Sequence, residues 1–159
     1  MSAAPHRPGE LYVRNRTRLL DTREMEWEDD PEIGRIKVLA RFDGGEPSIF
    51  LLWLPPDARA DDLPHRHYHR SVAEHHFVLE GEQPTWIYDD AGQGEGDGHA
   101  FLLRAGHYLG REPGPDGIHG REPSAASLTG CVMLVWRSGP GNFIREPRAG
   151  EETVDVPYP

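Results

Sequence analysis

Glycine and proline recur at close intervals along the whole chain, and this spacing limits what the chain can fold into. The 159 residues include 18 glycines and 15 prolines. Both residue types destabilise the interior of a helix, so long helices are excluded over most of the sequence. Short strands separated by turns are compatible with the same spacing. We therefore expect an all-β chain.

The segments between the turn residues support this expectation. They are short and rich in Val, Ile, Leu, Phe, Tyr and Trp, as strands usually are. Regular short strands with turn residues between them predict an antiparallel sandwich or barrel. One segment, residues 16–28, has a mixed periodicity that could also form a short helix. The predicted strand segments are residues 11–13, 36–42, 47–54, 74–79, 84–88, 100–103, 106–109 and 130–136.

The length of the chain suits one domain. We predict a polar tail over residues 1–9 and a single domain over residues 10–159. The one cysteine, Cys131, has no partner for an intramolecular disulfide and lies in an apolar run, so a buried, inert thiol is the favoured interpretation.

The net charge indicates which classes of partner the chain is poorly suited to bind. The formal charge is −10 at pH 7, which disfavours binding to nucleic acid or to an anionic membrane, because both require a cationic face. The N-terminus has no apolar core of a signal peptide, and no segment approaches about 18 apolar residues. The expected location is the cytoplasm, and the expected partner is a small-molecule substrate.

Histidines cluster in the middle of the chain. Five of the nine fall within residues 65–76. Alternation along a strand places His65, His67 and His69 on one face. A tight connection at residues 70–73 would reverse the chain, so that Glu74 and His76 share a face of a returning strand. Direct antiparallel pairing of the two strands would bring the imidazoles and the carboxylate together.

Such a cluster predicts a metal site. Imidazole suits Fe, Zn, Cu, Ni and Mn, and a carboxylate extends the site to harder ions. Mixed histidine and glutamate ligation with positions open to water is typical of catalytic rather than closed structural sites. The alternative is an exposed polar strand whose histidines bind nothing.

The spacing of this segment resembles the first conserved motif of the cupin superfamily. In that motif HxH is followed by three or four residues, a glutamate, six residues and a glycine, and here His67 and His69 are followed by four residues, Glu74, six residues and Gly81. Asp61 stands where the family has its first glycine. A second register, starting at His65, leaves six residues before Glu74 and ranks below the first.

A second cupin motif is present only in stretched form. The family sequence is a glycine, five residues, PxG, two residues and a histidine. Here Gly106 precedes Pro113 by one residue more than the motif has, and His119 lies two residues too far along. The resemblance makes His119 the fourth metal ligand beside His67, His69 and Glu74. His107 is the second choice, and a site with only three ligands stays open.

The resemblance covers roughly residues 35–136 and implies a fold and an assembly. The implied fold is a double-stranded β-helix, or jelly-roll barrel, of two antiparallel sheets with one divalent ion between them. Many cupins dimerise through terminal strands. The alternating residues 11–14 and 153–156 would suit such pairing, so a homodimer is expected.

The chemistry of such a mononuclear site depends on the coordination positions of the ion that the protein leaves open. The ion polarises a substrate that chelates it through two oxygens, and Fe(II) in addition binds O2. Resemblance to small diketone-cleaving cupins makes a metal-dependent dioxygenase with Fe(II) the leading prediction, with Zn, Mn or Ni as other ions. The alternatives are non-oxidative lyase, isomerase or cyclase chemistry, and a non-catalytic protein that binds a small ligand or metal.

His76 is the best candidate for a general base, because it shares a face with Glu74 and histidine titrates near neutrality. A role as hydrogen-bond partner of Glu74 is the alternative. Further candidates for contact with substrate lie on or near the predicted ligand strands, although core packing or a solvated surface would explain them equally well. They are Trp53, Trp86, Tyr88, Phe101 and Arg104.

Overall fold

The protein is built from β-strands over the part of the chain that its computed structural model describes. That part comprises residues 8–14, 17–30, 34–56, 67–89, 97–114, 118–120, 129–140, 143–145 and 154–156. It contains thirteen strands and no helix, so the all-β prediction is confirmed. The strands are β1 Glu10–Arg14, β2 Thr17–Leu20, β3 Glu28–Asp30, β4 Gly34–Arg41, β5 Pro47–Leu54, β6 His67–His69, β7 Glu74–Ile87, β8 His99–Arg104, β9 Tyr108–Arg111, β10 His119–Gly120, β11 Cys131–Arg137, β12 Phe143–Arg145 and β13 Val154–Val156.

Eleven of the strands form one curled antiparallel sheet. Its order is β13-β12-β6-β10-β7-β11-β5-β4-β3, and β8 and β9 each pair with a different half of β7. The remaining two strands, β1 and β2, form a separate antiparallel pair. The curling gives two faces that look toward each other, as the predicted jelly roll requires.

Strand β7 forms the corner between these two faces. Its first half pairs with β9 and β11, and its second half pairs with β8 and β10. Gly81 lies at the change of partners with a φ of 73°, a left-handed conformation that only glycine adopts at little cost. The sequence predicted two strands, at 74–79 and 84–88. That boundary is wrong, because the glycine bends the strand without ending it.

The core lies on the concave side of β4, β5, β7 and β11. Side chains alternate between buried and partly exposed along β5 and β11, as expected of strands with one face toward a core. Burial of side chains such as Phe50 and Met133 stabilises the fold by roughly 1.5–3 kcal/mol each. The core cluster is Ile36, Phe50, Leu52, Leu54, Val78, Leu103, Cys131, Met133 and Val135.

Two further expectations can be compared with this architecture. Cys131 is buried and forms no disulfide, as predicted. Residues 17–20 and 28–30 are strands, so the helix considered for residues 16–28 does not form in the described segment. None of the described residues forms a helix long and apolar enough to cross a membrane.

Candidate metal centre

Three histidines from two short strands converge in the interior. His67 and His69 alternate along β6, and His119 on β10 lies directly across from His67 in the antiparallel register. One ring nitrogen from each histidine lies within 4.8 Å of the others. All three side chains are buried. We call this group the triad.

Strand pairing differs from the sequence-based expectation. β6 and β7 were predicted to pair directly, and that prediction is wrong, because β10 lies between them. His119 pairs with His67 on one side and with Ile87 on the other. This insertion is what brings the third histidine beside the HxH pair.

The imidazole rings pack closely and are suited to binding a cation. The ring centroids of His67 and His119 lie 4.2 Å apart. Burial, together with the positive charge of Arg111, holds the pKa of His119 well below its ordinary value of 6.5. A neutral imidazole keeps the lone pair that a metal requires. The donor set therefore fits a first-row transition ion such as Fe, Zn, Mn or Ni.

Glu74 begins β7 at a position flanked by two arginines. In the sheet register it lies between Arg111 on β9 and Arg137 on β11. Arg137 Nε donates to Glu74 Oε2 at 2.8 Å, and Arg111 Nη1 lies 3.4 Å from Oε1. Burial is the largest single influence and opposes the charged form, but Arg137, His69 and His76 together outweigh it and hold the pKa of Glu74 well below its usual range. Glu74 is therefore an ionised carboxylate inside the barrel.

The carboxylate of Glu74 lies beside the triad rather than within it. Its Oε1 atom is 3.4 Å from Nε2 of His69. The group whose ligand atoms all lie within 4.8 Å of one another contains only the three histidines among the described residues. Glu74 thus stays a predicted ligand whose carboxylate is next to one member of the triad.

His76 binds Glu74 through a hydrogen bond of 2.8 Å between Nε2 and Oε1. An ionised carboxylate only accepts hydrogen bonds, so Nε2 of His76 carries the proton. Burial and the nearby Arg111 lower the pKa of His76 below 6.5, which keeps its ring neutral near pH 7. The hydrogen bond to Glu74 that the sequence suggested as an alternative role is present.

The other histidines considered for the site lie elsewhere. His107 is exposed in the turn between β8 and β9, where its carbonyl accepts from Val78 N. His75 stacks on Trp136 at 4.9 Å between ring centroids, on the opposite face of β7 from Glu74. His65 lies outside the described residues.

The suggested substrate-contacting side chains occupy different environments. Tyr88 is fully buried, and Trp53 and Trp86 are partly buried. Phe101 is half exposed, and Arg104 is exposed with its Nε 3.8 Å from Glu82. The last two therefore do not reach the triad.

Two site residues escaped the sequence analysis. Arg111 and Arg137 each end a strand, and only the register places both beside Glu74. An arginine at the end of an apolar run is common on protein surfaces, so the sequence offers no signal that would single them out.

A cavity of about 270 Å³ adjoins the triad. His119 and Arg111 contribute polar groups to its wall, and Ile87, Leu109 and Ile118 contribute apolar ones. One member of the triad therefore borders a small space with both polar and apolar walls.

No family model matches the sequence of this protein, and no curated protein matches it. Among solved structures, the Fe(II) form of HppE is similar over 82% of this chain and 64% of its own, with 17% identity and a TM-score of 0.50. The chain has the cupin fold.

Two further structures were found with lower scores. The Co(II) form of HppE in complex with Tris matches with 20% identity over 64% of this chain and 51% of its own, with a TM-score of 0.41. A sugar phosphate isomerase of the cupin superfamily, from Silicibacter pomeroyi, matches with 20% identity over 70% of each chain, with a TM-score of 0.40. This chain thus spans between half and two-thirds of the length of the HppE chains. Inside its cupin fold, the buried triad offers three ligand atoms to a metal ion.

Proposed function

We propose that this cupin is a metal-dependent dioxygenase that acts on a small, oxygen-rich organic substrate. The observation that carries the proposal is the convergence of three buried imidazoles next to a cavity. We propose His67, His69 and His119 as ligands and Glu74 as the fourth. Fe(II) is the first choice of ion; Zn, Mn and Ni fit the same donors.

Glu74 is positioned to complete the ligand set. Two ligand atoms of one ion, each about 2.1 Å from it, lie about 3.0–3.4 Å apart at the usual angles. The distance between Nε2 of His69 and Oε1 of Glu74 is 3.4 Å. Arg137 binds the other carboxylate oxygen, which leaves Oε1 as the atom that faces the triad.

A bound Fe(II) would supply Lewis acidity and the capacity to react with O2. The chain itself excludes water, because the three histidines and Glu74 are buried. His76 fixes the orientation of Glu74 through its protonated Nε2. If His76 also acts as the general base, the accepting atom is Nδ1, the ring nitrogen that bears the lone pair in this tautomer.

Metal content is the first experiment. Protein purified without a nickel column should contain about one first-row transition metal per chain by elemental analysis. His67→Ala or His119→Ala should lower zinc affinity by more than about 100-fold, because even the loss of a residue that only supports a ligand costs 10–100-fold. His107→Ala is the matched control and should bind zinc like the unmodified protein. Equal losses in His107→Ala and His119→Ala would contradict the ligand assignment.

Oxygen consumption separates the classes of chemistry. Fe(II)-loaded protein should consume O2 with one or more of a panel of diketones, catechols and hydroxyacids. Turnover of a substrate without O2 uptake would favour the lyase, isomerase or cyclase alternative. Binding of the ion with no turnover of any kind would favour a non-catalytic binding protein.

The remaining proposals concern the surroundings of the protein. We propose a small molecule as its partner rather than nucleic acid or a membrane, a cytoplasmic location, and assembly as a homodimer. The acidic net charge of −10 supports the choice of partner, because a negative surface repels phosphate backbones and anionic lipids.

A further inference from the structure

The cavity beside the triad combines one buried cation with apolar walls. Apart from His119 and Arg111, apolar side chains provide much of its lining, among them Ile87, Leu109 and Ile118. Its volume of about 270 Å³ is slightly below the range of roughly 300–1,000 Å³ that is usual for small-molecule sites. An occupant must therefore be small and carry both an apolar part and a group that a cation attracts.

The guanidinium of Arg111 has a hydrogen-bond donor that its contacts with the described residues do not use. Its side chain is more than nine-tenths buried, and its Nε has no hydrogen-bond partner among the residues that the structure describes. Its contact with Glu74 is long, at 3.4 Å from Nη1. A guanidinium carries five N–H donors, and a buried donor without a partner is costly. A ligand in the cavity that accepts hydrogen bonds would remove this cost.

Charge balance around Glu74 indicates the sign of the ligand. One carboxylate is shared by two buried guanidiniums, and the shorter bond, at 2.8 Å, goes to Arg137. Arginine stays protonated in proteins, so Arg111 is a cation. Glu112 also lines the cavity, but it is exposed, so solvent screens its charge. Among the described residues, the buried charges that contact one another around Glu74 therefore include more cations than anions.

We propose that Arg111 binds the carboxylate of the substrate, and that the substrates are small monocarboxylic acids with a short apolar chain. The guanidinium provides a planar pair of donors that matches a carboxylate. A 2-oxo or 2-hydroxy acid also has a second oxygen available for the ion. This second contact rests on the proposed function, whereas the contact with Arg111 does not.

Calorimetric titration of isobutyrate, 2-oxo-3-methylbutanoate and the neutral isostere isobutyramide tests the proposal on metal-free and zinc-loaded protein. Both acids should bind at least about tenfold more tightly than the amide in both forms, since charge-assisted hydrogen bonds are the stronger ones. Arg111→Gln should weaken binding of the acids by at least about tenfold, and Arg111→Lys should recover part of the loss. Arg104→Gln, at an exposed arginine, is the matched control and should change nothing.

Equal affinities for acid and amide in the unmodified protein would overturn the proposal, even if the Arg111 variants failed to fold. Unchanged binding of the acids to a folded Arg111→Gln variant would also overturn it. Inorganic phosphate is a further arm, and tighter binding of phosphate than of both acids would overturn the assignment to carboxylates. Failure of the proposed function would be recognised separately. It would show as an absence of zinc binding, whereas the contact with Arg111 is measured on metal-free protein.

Discussion

Glu74 is a buried charge whose partners are themselves buried charges. Arg137 and Arg111 lie on the two strands that flank it, and His76 binds the same oxygen that faces His69. The interaction of opposite charges is strong in such an environment, but so is the cost of removing one of them. This carboxylate therefore matters for stability, apart from its proposed role as a metal ligand.

Replacing Glu74 with glutamine should show that cost. Glu74→Gln keeps the size of the side chain but removes the buried negative charge that Arg137 and Arg111 contact, and should lower the free energy of unfolding by about 3–5 kcal/mol. Urea denaturation of metal-free protein measures it. Glu82→Gln, which removes the carboxylate 3.8 Å from the exposed Arg104, should cost less than about 1 kcal/mol. Similar losses for the two variants would contradict this account of Glu74.

The buried histidines predict how stability depends on pH. Burial, with the positive charge of Arg111, lowers the pKa of His119 and of His76 in the folded state from 6.5. The unfolded chain therefore takes up protons first as the pH falls below about 6.5, and the folded state loses stability. The slope is up to about 1.4 kcal/mol per pH unit for each histidine until its folded pKa is reached.

Urea denaturation of metal-free protein between pH 7.5 and pH 5.5 checks this dependence. Glu74 adds to the loss at lower pH, because a carboxyl whose folded pKa is depressed stabilises the fold above its ordinary value of 4.5 and ceases to do so as the pH falls through the folded one. A free energy of unfolding that stays constant from pH 7.5 to 5.5 would show that neither histidine is held neutral by burial.

Strand β7 contributes to both faces of the barrel and passes from one to the other at a single glycine, Gly81. At Gly81 the strand ends its pairing with β11 and continues beside β8 and β10, and the next residue, Glu82, donates its N–H to the carbonyl of Gly130. Close backbone approach and a positive φ meet at the same residue. Only a residue without a Cβ satisfies both.

Gly81→Ala should therefore be much more harmful than an ordinary glycine substitution. The new methyl group would overlap the carbonyl oxygen of Gly130 as well as strain the backbone, and we expect a loss of about 3 kcal/mol or more. Gly106 has a φ of 89° but nothing within 4 Å of its would-be Cβ, so Gly106→Ala should cost only about 1–2 kcal/mol. Thermal or urea unfolding compares the two. Equal losses would mean that the close approach to Gly130 is unimportant.

The assembly of whole chains is a separate prediction. β13 ends the order of the large sheet, and β1 belongs to a pair outside that sheet. A sheet edge offers backbone groups to a second chain, so we predict that the proposed homodimer forms by pairing of terminal strands. Sedimentation should give twice the mass of one chain. Deletion of residues 153–159 should give a monomer, whereas deletion of residues 1–7 should not. A full-length monomer at all concentrations would contradict the proposal.

Much of this protein follows from local sequence, because local sequence sets the backbone and the alternation of side chains. The spacing of glycine and proline predicted an all-β chain, and the bounds of β5 agree with the predicted 47–54. His67 and His69 lie together in the interior because side chains two residues apart on a strand share a face. His119 was chosen over His107 by motif resemblance, and it is the one that lies beside them.

Tertiary structure decided what depends on strand order and register. Three features depend on contacts between segments that are far apart in the chain. They are the insertion of β10 between β6 and β7, the change of strand partners along β7 at Gly81, and the position of Glu74 between Arg111 and Arg137. Local preferences carry no information on which strand becomes the neighbour of which. Burial of the whole chain selects that arrangement, and with it the charge that surrounds the site.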